Sequence, residues 1–306
     1  MISENIFLVT GGHGFLASRL IPFLHKNILK CKIIVATRGK RDREWQKYPD
    51  IFQLYGDVGD AKIWDRMPKT ITHVFHLAAV IPRRSQDMNR AAIAEDNLLP
   101  LTHLIEKSQR WPNLKQVIFS SSISVYAKTG VLLNEDSRKI PIDIYGASKL
   151  AGEHLLSCLG SRGVRVVSLR YSSLYGCGQY QGTVLPTMVN RAIKKKEILV
   201  YGSGKRTQDF IYYDDAANAN FLAYKKQARG AFNIGSGLSV PMKELAENIS
   251  WVFTNGEAKI VYLLEKEDHD LGFKLDISKA KRELDYQPLF QIKDGLKKLK
   301  DEMGVG

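Results

Sequence analysis

The sequence predicts an α/β fold, a doubly wound parallel sheet joined to a smaller C-terminal lobe. Short apolar runs alternate with helical patterns through the first half of the chain, as a sheet covered by helices on both faces requires. The runs are continuously apolar, which is how strands buried on both faces read. A glycine-rich turn, Thr10-Gly-Gly-His-Gly-Phe-Leu-Ala17, separates the first run from the first helical stretch.

Asn5-Ile-Phe-Leu-Val9 is the first strand, and the amphipathic stretch from Phe15 to Leu29 the first helix. Further strands are expected at Lys32–Ala36, Phe52–Tyr55, His73–Leu77, Gln116–Phe119 and Arg165–Leu169, with helical patterns between most of them. After Arg170 the rhythm changes and turns rich in Gly and Tyr become frequent. The chain has no internal repeat, low-complexity tract or long Pro/Ser linker. In the glycine turn, Gly11 permits a tight reversal after the strand. Gly14 lets backbone come close to a dinucleotide pyrophosphate at the start of the next helix. The position between strand and helix is what makes this glycine pattern informative.

Composition narrows the function classes. A chain of 306 residues holds one large α/β domain or one and a half. No run of about 20 apolar residues occurs, so no membrane span is expected. Met1-Ile-Ser-Glu-Asn-Ile6 lacks the basic and apolar regions of a secretory signal. The cysteines Cys31, Cys158 and Cys177 are odd in number and lack metal-ligand spacing, so they read as reduced thiols of a cytoplasmic protein. A net charge of +13 suits an anionic ligand. The basic residues are scattered apart from Lys194-Lys-Lys196 and the Arg38–Arg43 region, with no basic stripe among exposed aromatics, so nucleic acid is not an expected partner. Lys194-Lys-Lys196 reads as a solvated helix end, where cations suit the helix dipole.

Two more segments bear on chemistry. In Tyr145-Gly-Ala-Ser-Lys149 the tyrosine and lysine fall on one helix face. An ammonium there favours the phenolate and lowers the tyrosine pKa towards working pH. Ser120-Ser-Ser122, at the end of a strand, offers a hydroxyl to hold a substrate oxygen against that phenol. Together with the glycine turn, and in this order, these segments resemble the extended branch of the short-chain dehydrogenase/reductase family. That branch comprises the NAD(P)-dependent sugar-nucleotide epimerases, dehydratases and reductases. The resemblance covers nearly the whole chain. It implies a dinucleotide-binding Rossmann domain over residues 1–170, to which the chain returns around 209–234, and a substrate-binding lobe from 171–208 and 235–306.

The resemblance carries residue roles with it. Gly11, Gly14, Phe15 and Leu16 fall in the family's cofactor turn, with Ala17 in place of its last glycine. At the end of the second strand, Ala36-Thr-Arg-Gly-Lys-Arg41 lacks the acidic residue that NAD-preferring members use on the ribose 2′-OH. Arg38 suits either stacking on adenine or pairing with a 2′-phosphate, with Lys40 or Arg41 to assist, and the lean is to NADP over NAD. The plainer reading is a basic surface loop. Asp57, followed by Val58, matches the aspartate beside the adenine ring; its alternative role is a turn or helix cap. In His76-Leu-Ala-Ala79, Leu77, Ala78 and Ala79 match the segment that passes close to the cofactor, and His76 reads as structural. Asn97 matches an asparagine with a structural or proton-relay role, and Ser120 and Tyr171 fall at cofactor-side positions.

On the substrate side, Ser122 is the candidate hydroxyl, with Ser124 the runner-up, alongside Tyr145 as acid/base and Lys149 as its partner. Dehydratases carry an Asp-Glu pair where this chain has Ile123 and Ser124, which favours epimerisation or keto-sugar reduction. Ser173 replaces an asparagine that often contacts substrate phosphate, and Gln208 an arginine that grips the diphosphate. Either Arg206 takes over or the diphosphate is held differently. The ligand class implied is a nucleotide sugar. The competing class is a non-catalytic dinucleotide-binding regulator, which generally lacks the Tyr/Lys pair. The resemblance also implies a homodimer built on the helix containing Asn97 and the helix beginning near Tyr145. The leucines of both would otherwise face the monomer's own core.

Overall fold

The architecture is that of a computed structural model, in which residues 5–39, 44–82, 87, 89–127, 131–179, 182–265, 272 and 274–305 are described. In chain order the elements are β1 (Asn5–Thr10), α1 (Ala17–Asn27), β2 (Cys31–Thr37), β3 (Ile51–Tyr55), α2 (Ala61–Asp65), β4 (His73–His76), α3 (Ala91–Ser108), β5 (Gln116–Ser122), β6 (Leu132–Leu133), α4 (Ile144–Ser157) and β7 (Arg165–Tyr171). The second part adds β8 (Ser173–Tyr175), α5 (Val184–Ile193), β9 (Ile198–Tyr201), β10 (Thr207–Tyr212), α6 (Tyr213–Lys225), β11 (Gly230–Ile234), β12 (Ser239–Pro241), α7 (Met242–Thr254), β13 (Ile260–Leu263), β14 (Lys274–Leu275), α8 (Ser278–Leu284) and α9 (Ile292–Met303).

Seven strands form one parallel sheet in the order β11-β7-β5-β4-β1-β2-β3. Each expected strand of the first half is present in it. Side chains alternate across the sheet, so Phe7 and Val9 enter one core and Leu8 the other. The first core is closed by α1, α6 and α8, the second by α2, α3 and α4. Strand β3 departs from the expected double burial: Phe52 and Tyr55 are exposed, because β3 is the sheet edge. The first helix starts at Ala17 rather than Phe15, since Gly14 N–H donates to the Gly11 carbonyl (2.7 Å) and keeps the preceding residues in a turn.

Strand β1 pairs with β2 on one side and β4 on the other, so the strand order reverses there. The crevice beyond the carboxyl ends of these strands is where an open α/β sheet holds its ligand. A third core joins β10 to α5, α7 and α9 around Tyr175, Met188, Phe210, Leu245 and Leu296. Helix α5 ends at Ile193, and Lys194 to Lys196 are exposed beyond it, as expected of a solvated helix end. No helix among the described residues is long and apolar enough to cross a membrane.

Candidate active site

The glycine turn makes a cradle that only backbone can fill. Gly11 has φ +69°, and a Cβ on it would stand 2.9 Å from the Cα and N of Ala78. The turn is therefore packed directly against the Leu77–Ala79 segment. Thr10 fixes the same junction: its Oγ1 accepts from Ala78 N–H (3.2 Å) and lies 3.1 Å from His76 Nδ1. Burial, and secondarily the charge of Lys149, pulls His76 down to about 3, so it is neutral and holds the frame. Gly14 is exposed at the helix start. These features fit a dinucleotide pyrophosphate. The Leu16 and Val58 side chains are buried in the cores, and the Phe15 ring stacks on Tyr213 at 5.1 Å.

Beyond the carboxyl ends of β2 and β3, Arg38 and Asp57 are 70% and 53% exposed, and their charges lie 3.7 Å apart. Asp57 closes a turn by accepting from Gly59 N–H (2.8 Å), while the cap of α2 is Asp60, which accepts from Lys62 N–H. Lys40 and Arg41 lie outside the described residues.

The reacting end is built by the first turn of α4. Asp143 caps the helix by accepting from Gly146 N–H (2.7 Å). Gly146 has no side chain, and a Cβ there would stand 2.2 Å from the Ser124 carbonyl oxygen, so the helix start is pressed onto the short 3₁₀ turn Ile123–Val125. This contact sets Tyr145 beside Ser122. Ser122 in turn donates to Ser124 Oγ and accepts from Ser124 N–H, both at 3.1 Å. Lys149 is buried and its Nζ donates to the Ser120 carbonyl (2.8 Å). The ammonium lies 4.9 Å from the Phe119 ring centroid and 5.7 Å from that of Tyr145.

The electrostatics differ from the sequence expectation. Burial pushes the Tyr145 phenol up to about 12, against a smaller opposing hydrogen bond with Ser122. Burial likewise pulls Lys149 down to about 7, opposed by Glu153 one turn on. Spacing puts the pair on one face, but desolvation dominates both groups.

Asn97 ties the backbone after β4 to α4. Its Oδ1 accepts from Val80 N–H (2.7 Å), and its Nδ2 donates to the Val80 carbonyl (3.2 Å) and to Ser148 Oγ (3.1 Å). Ser148 donates to the Tyr145 carbonyl (2.7 Å). Tyr171 is buried, takes a hydrogen bond from Asn220 Nδ2 (2.6 Å), and is raised well above the ordinary tyrosine range, chiefly by burial. Behind it, Arg170 makes a buried two-point contact with Glu153 (2.9 and 2.6 Å) and donates to Tyr126 Oη (2.7 Å). Sequence reasoning missed Ser148, Glu153 and Asp143. Only Asp143 carried a signal, as an acidic residue just before a helix.

A cavity of about 230 Å³ opens beside Ser122. Ser122, Ser124, Asp143, Tyr171, Ser173, Arg206 and Gln208 line it, so the structure brings the three substrate-side candidates of the second half to the end of β5. Gln208 Nε2 donates to Ser173 Oγ, and Gln208 Oε1 accepts from Arg206 (2.9 Å). Arg38 and Asp57 do not reach this cavity. No group of three or more His, Cys, Asp or Glu among the described residues is arranged to hold a metal.

The chain is 28% identical to a putative UDP-glucose 4-epimerase of Methanocaldococcus jannaschii over 96% of its length and 97% of the relative. It is also 28% identical to a UDP-N-acetyl-alpha-D-glucosaminuronate decarboxylase of Bacillus cytotoxicus, covering 95% of each. The solved UDP-glucose 4-epimerase of Thermotoga maritima with UDP-glucose superimposes with a TM-score of 0.86 at 26% identity, over 98% of both chains. The family model described as the NAD dependent epimerase/dehydratase family matches residues 7–235, and the chain belongs to that family.

Proposed function

We propose that the protein is an NAD(P)-dependent enzyme that inverts C4 of a nucleotide-activated sugar through a keto intermediate. The observation that carries this reading is the phenol of Tyr145, hydrogen-bonded to Ser122, which lines the cavity, with Lys149 buried one helical turn on. The bound dinucleotide supplies the hydride acceptor and donor. Tyr145 moves the proton at the sugar 4-oxygen, and Ser122 orients that oxygen. In its protonated form Lys149 supplies the cation that favours the phenolate when a hydroxyl proton is removed, working against the desolvation that holds the Tyr145 phenol up. Ile123 and Ser124 offer no carboxyl group for removing a second hydroxyl, and Asp143 is engaged in capping α4. Similarity to a putative 4-epimerase and to a solved one supports the same assignment.

A second reading is an NADPH-dependent reductase of a nucleotide-linked 4-keto-sugar. A phenol held near 12 is protonated at neutral pH, the form that donates to a keto oxygen. Arg38 at the end of β2 supports a preference for NADP(H). The test is to incubate the protein with each dinucleotide and a panel of UDP- and dTDP-sugars while following the sugar protons by NMR. A C4 epimer is the expected product. Consumption of NADPH only with a 4-keto-sugar selects the reductase. Dinucleotide binding without turnover of any sugar would leave a regulatory protein and overturn both.

A further inference from the structure

The two positions where the substrate side departs from the family pattern, Ser173 and Gln208, are not independent. They are hydrogen-bonded to each other, and Gln208 accepts from Arg206 through its other amide atom. The result is a chain from Ser173 on β8 through Gln208 on β10 to the guanidinium of Arg206. All three side chains are half-buried, and all line the cavity. The Arg206 backbone is fixed as well, because its carbonyl accepts from Met242 N–H (2.9 Å) at the start of α7. Among the described residues that line the cavity, Arg206 is the one cation and Asp143 the one carboxylate.

Residues two apart along an extended strand project from the same face. Arg206 immediately precedes β10, and both it and Gln208 line the cavity, so a cation at 206 serves the same wall as a cation at 208. A glutamine between a hydroxyl and a guanidinium fits this role, since its amide both donates and accepts. We infer that Arg206 is the anion anchor of the cavity, gripping the diphosphate of the nucleotide sugar, and that Gln208 and Ser173 are positioning residues that aim it. This inference rests on the nucleotide-sugar reading above. It specifies where the diphosphate is held and why this chain functions without an arginine at 208.

The test is calorimetric titration of UDP into the NAD-loaded protein. Arg206→Gln is expected to weaken UDP binding roughly 10- to 100-fold, the range for a lost charge-assisted contact. Affinity for NAD should not change, since the guanidinium lies in the substrate cavity. Gln208→Ala is expected to weaken UDP less, by about 3- to 10-fold, through loss of aim rather than charge. The discriminating variant is the exchange Arg206→Gln with Gln208→Arg, which should restore UDP affinity to within about threefold of wild type if one wall serves both positions. A merely structural Arg206 would not be rescued from two residues away. Thermal unfolding of each variant separates misfolding from lost contact, and Arg206→Lys, which keeps the charge, should bind UDP better than Arg206→Gln. Undiminished UDP binding by folded Arg206→Gln would overturn the anchor, and so would an exchange variant no better than it. Wild-type protein that binds NAD but neither UDP nor dTDP would overturn the nucleotide-sugar reading itself and the anchor with it.

Discussion

At Lys149 chemistry and stability pull in opposite directions. Its spacing from Tyr145 is plain in the sequence. The direction of both pKa shifts is not, because desolvation sums over packing from β5, α3 and α4 that no local pattern displays. With Lys149 drawn from its ordinary value down to about 7, the native protein binds fewer protons than the unfolded chain between pH 7 and about 10.5. The cost of burying the ammonium is thus full below pH 7 and vanishes as pH rises through 10.5. Lys149→Met should therefore stabilise the protein at pH 6 by on the order of a few kcal/mol, seen as a higher thermal midpoint, with the advantage shrinking towards pH 10.5. Turnover should fall at every pH. A variant less stable than wild type at pH 6 would contradict this account. Tyr145→Phe keeps the ring packing but removes the proton-transfer group, so turnover should drop about 10²–10⁴-fold with dinucleotide binding intact. Retention of a tenth of wild-type activity, rather than loss of that size, would show another group moving the proton. Arg38→Asp should weaken NADP(H) more than NAD(H), because a carboxylate repels a 2′-phosphate yet accepts from a ribose hydroxyl. Equal losses would mean that Arg38 does not read the 2′ position.

Among the elements, the seven-stranded sheet was legible because its strands are continuously apolar and spaced by helices. The second half was less so. Strands β8, β9, β12, β13 and β14 are two to four residues long, too short for a period to show. What positions the site at this scale is the meeting of α4 with the turn after β5. The sequence displays Gly146 inside the Tyr-x-x-x-Lys spacing but not that it touches Ser124, since that contact depends on how α4 docks. Gly146→Ala adds a Cβ where 2.2 Å separates it from the Ser124 carbonyl. Helix α4 must then shift, carrying Tyr145 away from Ser122. The expected cost is about 1–3 kcal/mol of stability, readable by urea unfolding. Turnover should fall further than stability alone explains. Full activity in this variant would show that the helix start has slack that the packing does not suggest.

Across the whole molecule, long-range ties couple the two ends of the chain. Glu302 on α9 pairs with Arg19 on α1 and accepts from Tyr212 (2.9 Å) and Tyr213, and Arg19 also meets Asp214 at 3.2 Å. No spacing rule reveals a contact between residues so far apart in sequence. The opposite question is which apolar surface remains uncovered. Leu101, Leu104, Leu156 and Leu159 are buried in the monomer's own core, as the alternative to an interface required for them. Leu98, Ile105 and Leu150 are half-buried and pack against the monomer's own cores, Leu155 is half-buried, and Leu99 is 38% exposed on α3. Helices α3 and α4 pack together closely, since a Cβ on Gly152 would stand 2.8 Å from Leu101 Cδ1, and the apolar surface they leave uncovered includes Leu99 and part of Leu155. We propose that this surface pairs with its copy across a two-fold axis, giving a four-helix arrangement in which each leucine of one subunit meets the other's. Sedimentation at micromolar concentration should then show a particle of twice the 34.5 kDa chain mass. Leu99→Arg with Leu155→Arg should convert it to monomer, because each charge would be buried unpaired at the interface. Wild-type protein sedimenting as one species near 34.5 kDa would rule the dimer out and leave the outer leucines as ordinary exposed surface.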